Sequence, residues 1–157
     1  MEAKTNAMRI IERLKLSYIP RSIGTDEAVS GVEMAQLLGE DPARVFKTLV
    51  TVGRSKRNYV FMIPVAEELD LKKAAAAAGE KSIEMIKSKE LLPLTGYVHG
   101  GCSPIGMKKP FPTFVHLTAA EHERIIFSAG RLGHQIEMSA DELKKAVNFE
   151  LADIICK

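Results

Sequence analysis

Thr48-Leu49-Val50-Thr51-Val52 and Tyr59-Val60-Phe61-Met62-Ile63-Pro64 decide the fold, with the polar Arg54-Ser55-Lys56-Arg57-Asn58 between them. Both runs are rich in β-branched and aromatic residues, which suit a pleated surface better than a helix. The five polar residues between them are the right length for a hairpin loop. The reading is therefore two antiparallel strands in the middle of the chain.

Outward from this hairpin, helices and strands alternate. Ala7, Ile10, Ile11 and Leu14 fall at i, i+3, i+4 and i+7, with Thr5 as N-cap, and predict an amphipathic helix. Ser17–Ile23 reads as extended, interrupted by Pro20. Ser30 with Glu33 forms a capping box before Met34, Leu37 and Leu38, and Gly39 stands where that helix stops. Asp41-Pro42 opens a short helix that should reach Phe46. Asp70 caps a helix through Ala74–Ala78 that Gly79 ends. Ile83–Ile86 reads as a short strand and Ser88–Leu92 as a helical turn.

Tyr97-Val98-His99 reads as extended and runs into Gly100-Gly101-Cys102-Ser103-Pro104-Ile105-Gly106. Phe114–Leu117, Ile125–Ser128 and Gln135–Met138 follow as strands. A short helix separates the first two, and a Gly130–Gly133 turn the last two. Ser139 with Glu142 caps a final helix to Val147. The strands lie too close in sequence for a doubly wound parallel sheet, so the class is mixed α/β in one domain of 157 residues.

Composition narrows the function. Apolar residues make up 46% and charged residues 27%, which is ordinary for a globular domain. The net charge of +2 does not by itself mark a nucleic-acid protein, although Arg54, Lys56 and Arg57, Lys72 and Lys73, and Lys108 and Lys109 form local basic clusters. These suit phosphates or merely solvated loops. No apolar run is long enough to cross a bilayer, and a reduced cytosolic setting is the expectation for two cysteines with no metal-ligand spacing. No metal site or cofactor motif is expected, because His99, His116, His122 and His134 are scattered. Elbow, Walker and zinc signatures are missing. Cys102 beside its glycines is conceivable as a nucleophile, but nothing near it in sequence would lower its pKa.

Two features remain. Lys47 is the single charge in Val45-Phe46-Lys47-Thr48-Leu49-Val50, where a lysine costs solvation unless it reaches water or an anion. It reads as an anion-seeking group or as an ordinary snorkelling lysine at a strand end. Gly100-Gly101 with Ser103 can turn backbone N–H groups into a cleft, as a nest for a phosphate or an oxyanion, or can be a plain tight connection. Ser128-Ala129-Gly130-Arg131 is a third loop that could line the same cleft.

Taken together, Val45-Phe46-Lys47-Thr48-Leu49, Leu69-Asp70-Leu71-Lys72-Lys73, Thr95-Gly96-Tyr97 leading into Gly100–Gly106, and Ser128–Arg131 with Ile136-Glu137 resemble the YbaK family of Cys-tRNA(Pro) deacylases. That family is related to the prolyl-tRNA synthetase editing domain. The resemblance implies a partly barrel-like mixed sheet with flanking helices. It implies hydrolysis of a wrong amino acid from tRNA, with the cysteine substrate's own thiol attacking its carbonyl and no cofactor. It implies Lys47 as the essential lysine, with Gly100 and Gly101 as the oxyanion loop. It further implies Thr48, Ser103 and Ser128 in the substrate pocket. Ile23 stands where some cysteine-specific members have tyrosine, and Gln135 where they have aspartate, so these two positions bear on substrate choice. The implied partners are aminoacylated tRNA(Pro) and prolyl-tRNA synthetase, with no membrane. The alternatives are a deacylase for another ester such as alanyl, using water as nucleophile, and a non-catalytic module that binds tRNA or synthetase.

Overall fold

The computed structural model describes residues 4–24 and 27–157. The elements run α1 (Asn6–Arg13), β1 (Ile19–Ser22), α2 (Gly31–Leu38), β2 (Phe46–Gly53), β3 (Asn58–Pro64), α3 (Leu71–Ala78) and β4 (Ile83–Met85). Then come α4 (Ser88–Thr95), β5 (Thr113–His116), β6 (Ile125–Arg131), β7 (His134–Met138), α5 (Ala140–Ala146) and β8 (Phe149–Ala152). The strands form two sheets, β1-β7-β6 and β4-β2-β3-β5-β8. Neither closes into a barrel. Val45 bridges Ile126 and ties the two sheets edge to edge.

The expected hairpin is β2–β3, antiparallel from Phe46 opposite Pro64 to Val52 opposite Asn58. It supplies much of the core: Phe61, Met62 and Ile63 are fully buried. On one face Phe46 and Met62 join Phe127, Ile136 and Met138; on the other Phe61 and Ile63 pack on Ala74 and Ala75 of α3. Such burial is the main favourable contribution to folding, at about 25 cal/mol per Å² of apolar surface.

The caps act as read. Thr5, Ser30, Asp70 and Ser139 accept the N–H groups of Met8, Glu33, Lys72 and Glu142, satisfying first-turn donors that have no helical partner. Gly39 and Gly79 end α2 and α3 in the left-handed conformation. Pro20 is accommodated because β1 pairs only with β7 and is an edge strand.

Three expectations need correction, and one strand was not anticipated. The Asp41-Pro42 helix is a single 3-10 turn, Pro42–Arg44, so β2 begins at Phe46 and Lys47 lies inside the strand. The Ser88–Leu92 turn extends to Thr95 as a full helix, ended by Gly96. Tyr97–His99 is not a strand: it leaves α4 directly and turns at His99-Gly100. β8 is not among the expected strands, although Asn148-Phe149-Glu150-Leu151 alternates polar and apolar; it pairs in parallel with β5, as β5 does with β3.

Candidate active site

A cavity of about 420 Å³ opens over the seam between the sheets. Its floor is β2 from Phe46 to Val50, with Ser128 and Gln135 from the other sheet. One wall is the start of α2, at Ser30, Gly31 and Met34; the opposite wall is Ile86–Ser88 with Leu91 of α4. His99, Gly100 and Cys102 complete the lining. The volume suits a small ligand held by a few polar groups in an apolar setting.

Lys47 lies in this lining, partly buried, and forms no hydrogen bond or ion pair among the described residues. Burial pushes its ammonium below the usual lysine range, while Glu68 and Glu67, just past the end of β3, partly restore it. Thr48 Oγ1 is buried with no hydrogen-bond partner among the described residues. A buried hydroxyl without a partner is costly, and a ligand group in the cavity would relieve that cost. Ser128 Oγ accepts the Gly130 N–H at 3.1 Å, and Gln135 Nε2 donates to the His134 carbonyl at 3.1 Å.

The glycine loop is only partly where expected. Gly100 lines the cavity in the left-handed conformation, φ 85°. Gly101 does not line it: its N–H donates to the Val98 carbonyl at 3.0 Å and closes a tight turn. A Cβ at Gly101 would stand 3.4 Å from the Leu132 nitrogen, an ordinary van der Waals distance, so the residue lies beside the β6–β7 turn. Ser103 is fully buried away from the cavity and accepts the Ile105 N–H at 3.2 Å. Ile23 is also outside the lining, with its N–H on the Gly133 carbonyl at 3.1 Å. Of the eight positions singled out from sequence, Lys47, Thr48, Gly100, Ser128 and Gln135 come together.

Sequence reasoning missed the walls. Nothing in periodicity marks Gly31, Met34 or Ile86 as cavity residues, because α2 and α4 reach the site through tertiary packing. Cys102 does face the cavity, but burial raises its thiol to about 12, so it stays protonated at neutral pH. No cluster of His, Cys, Asp or Glu among the described residues is arranged to hold a metal ion. No described helix is long and apolar enough to cross a membrane.

The site is thus a largely apolar cavity lined by Lys47 and Lys87, by the hydroxyl residues Ser30, Thr48, Ser88 and Ser128, and by a Cys102 thiol that stays protonated. The aminoacyl-tRNA editing domain family matches residues 25–146. A protein of Enterococcus faecalis, EbsC, named as a candidate Cys-tRNA(Pro)/Cys-tRNA(Cys) deacylase, is 44% identical over 99% of this chain and 96% of its own length. A proline–tRNA ligase of Shouchella clausii is 30% identical over 70% of this chain, which spans 19% of that enzyme. Among solved structures, a candidate trans-editing enzyme for prolyl-tRNA synthetase superposes with TM-score 0.80 at 22% identity, covering 99% of this chain and 100% of that one. The hypothetical protein APE2540 gives 0.85 at 23%, covering 94% and 97%; at these identities both show the fold. With the family model spanning most of the chain and the fold shared end to end, the chain belongs to the aminoacyl-tRNA editing domain family.

Proposed function

We propose that this chain is a free-standing deacylase that removes cysteine wrongly esterified to tRNA(Pro). The observation that carries the reading is the end-to-end likeness to EbsC, 44% identical over 99% of the chain. The cavity supports it, because a cysteinyl ester brings its own nucleophile and the cavity offers none that is ionised at neutral pH.

In this mechanism the substrate thiol attacks the ester carbonyl. A carbon–sulfur bond forms, the bond to the ribose oxygen breaks, and the thiol proton passes to that oxygen. The tRNA leaves with a free hydroxyl, and water opens the cyclic thioester of cysteine. The protein's work is to hold thiol and carbonyl together and to stabilise the developing oxyanion away from water. Lys47 supplies positive charge to the carbonyl or the terminal phosphate. The Gly100 N–H, with no protein acceptor among the described residues, is the backbone donor still available, since that of Gly101 is spent in its turn. Thr48 and Ser128 offer hydroxyls to the aminoacyl group, and Gln135 takes part in side-chain selection. The net charge of +2 favours loose tRNA binding, so prolyl-tRNA synthetase is the partner that would present the tRNA.

The test is turnover of Cys-, Ala- and Ser-tRNA(Pro) side by side. Preferential loss of the cysteinyl ester is expected. Equal turnover of the alanyl ester would demand a water nucleophile in place of the thiol. Turnover of none of the three would leave a module that binds tRNA or synthetase without catalysis.

A further inference from the structure

Thr95-Gly96-Tyr97 has no role in the site as described, yet it sits where three cavity segments meet. Thr95 Oγ1 donates to the Leu91 carbonyl at 2.8 Å and accepts the Tyr97 N–H at 3.0 Å, fixing the direction in which the chain leaves α4. The Tyr97 ring then packs on Gly130 of β6 so closely that a Cβ there would stand 2.6 Å from Cε1. Gly130 has φ 94°, next to the bulge between Ser128 and Arg131. The Tyr97 hydroxyl donates to the Ile105 carbonyl, and a Cβ on Gly106 would meet that hydroxyl at 3.0 Å. Val50, Leu91 and Cys102 surround the same ring.

We propose that Tyr97 is the positioning residue of the cavity, pinning the 98–106 loop and the 128–133 turn to each other so that Gly100, Cys102 and Ser128 face one space. The physical case is that Tyr97 touches both loops at once, through its ring on Gly130 and its hydroxyl on the Ile105 carbonyl. The approach of Gly101 to Leu132 is looser: a Cβ built on Gly101 would still stand 3.4 Å from the Leu132 nitrogen, an ordinary van der Waals distance that leaves room for sliding. A buried hydrogen bond combined with a ring seated on a bare α-carbon does not permit it, because either shift leaves a buried polar group unpaired or a void. The sequence order makes this economical: a single residue at the exit of α4 references the helix wall, the glycine loop and the serine turn together. The packing part of the inference stands by itself. Its consequence for catalysis rests on the deacylase reading.

Cys102 is the reporter that separates the two. It is buried at the cavity, whereas Cys156 is exposed, so in a Cys156→Ser background modification by N-ethylmaleimide reads the closure of the loops. In wild-type packing the reaction is slow. Gly130→Ala forces the ring outward, and Tyr97→Phe keeps the ring while deleting the hydroxyl bond. The expected result is a rise in Cys102 modification of about tenfold or more in Gly130→Ala and a smaller rise in Tyr97→Phe, with cooperative unfolding retained. On the cysteinyl ester, kcat should fall by on the order of 100-fold in Gly130→Ala with KM nearly kept, as displacement of reacting groups by about 1 Å predicts. Unchanged Cys102 protection in both variants overturns the proposal. Loops that open in the two variants, in a protein whose wild type hydrolyses no ester, would uphold Tyr97 as the pin and remove the deacylase reading instead.

Discussion

Lys47 and Glu137 are each a lone charge set in an apolar strand, and the molecule treats them in opposite ways. Glu137, on β7 between Ile136 and Met138, is 5% exposed. Three guanidinium groups surround it: Arg21 Nη1 at 2.6 Å, Arg44 Nη2 at 2.9 Å and Arg124 Nε at 3.0 Å. Glu40 takes a second contact from Arg21 at 3.1 Å, and Arg21 also donates to the Leu38 carbonyl at the end of α2. This cluster binds β1, β6, β7 and α2 together. Lys47, one strand away across the seam, has no such partner among the described residues. A charge that the fold has neutralised serves the fold; one left partly desolvated and unpaired is a candidate for meeting a ligand.

That contrast can be broken at several points. The largest effect belongs to Lys47→Ala, which should cost on the order of 1,000-fold in kcat/KM on the cysteinyl ester without lowering the melting temperature. Turnover assays and thermal melts on the same preparations check both halves. Glu137→Gln should do the reverse. It should lower stability by about 3 kcal/mol in urea unfolding, because three cations lose their partner, and reduce activity only as far as the fold loosens. Arg124→Ala, on a side chain 42% exposed, should lower stability far less in the same assay, because solvent screens an exposed ion pair.

The smallest effects lie in the pH dependence, where the two charges have opposite signs. Burial would raise the Glu137 carboxyl, but Arg124, Arg21 and Arg44 outweigh it and hold the group below the usual range. The stability it contributes is therefore present above about pH 4.3 and lost as pH falls through its lower folded value. Burial lowers Lys47, so its charged form penalises the fold. That penalty is relieved as pH rises from its folded value toward about 10.4, the value in the unfolded chain. Lys47→Met should abolish the alkaline gain, and Glu137→Gln the corresponding part of the acid loss. A Lys47→Met curve that still rises toward alkali would show that the lysine is not desolvated.

Local chemistry explains what could be read in advance. Thr5, Ser30, Asp70 and Ser139 mark helix starts because a first turn must satisfy its own N–H groups, and Gly39 and Gly79 mark ends for a matching reason. The β2–β3 hairpin was legible because both partners and their turn are contiguous. What stayed hidden is non-local. The parallel pairing of β5 with β3 and β8 joins segments from distant parts of the chain. The walls of the cavity depend on where α2 and α4 dock. At the site, Lys47 was legible as a misplaced charge. The misreading of Gly101 has a physical cause: a Gly-Gly pair looks the same whether its N–H groups face a cleft or close a turn, and here the Val98 carbonyl takes one of them.

The Val45–Ile126 bridge has a practical corollary. It is the one bridge between the two sheets among the described residues, and the cavity lies beside it, with Lys47 and Thr48 on one bank and Ser128 and Gln135 on the other. Whatever fills the cavity therefore adds a link between the two sheets, beside the core that Phe46 and Met62 already share with Phe127, Ile136 and Met138. Occupancy should read out directly as heat resistance, rising with the logarithm of ligand concentration once sites are filled. A melting screen over aminoacyl adenosines and their stable amide analogues would then rank ligands before any tRNA is made.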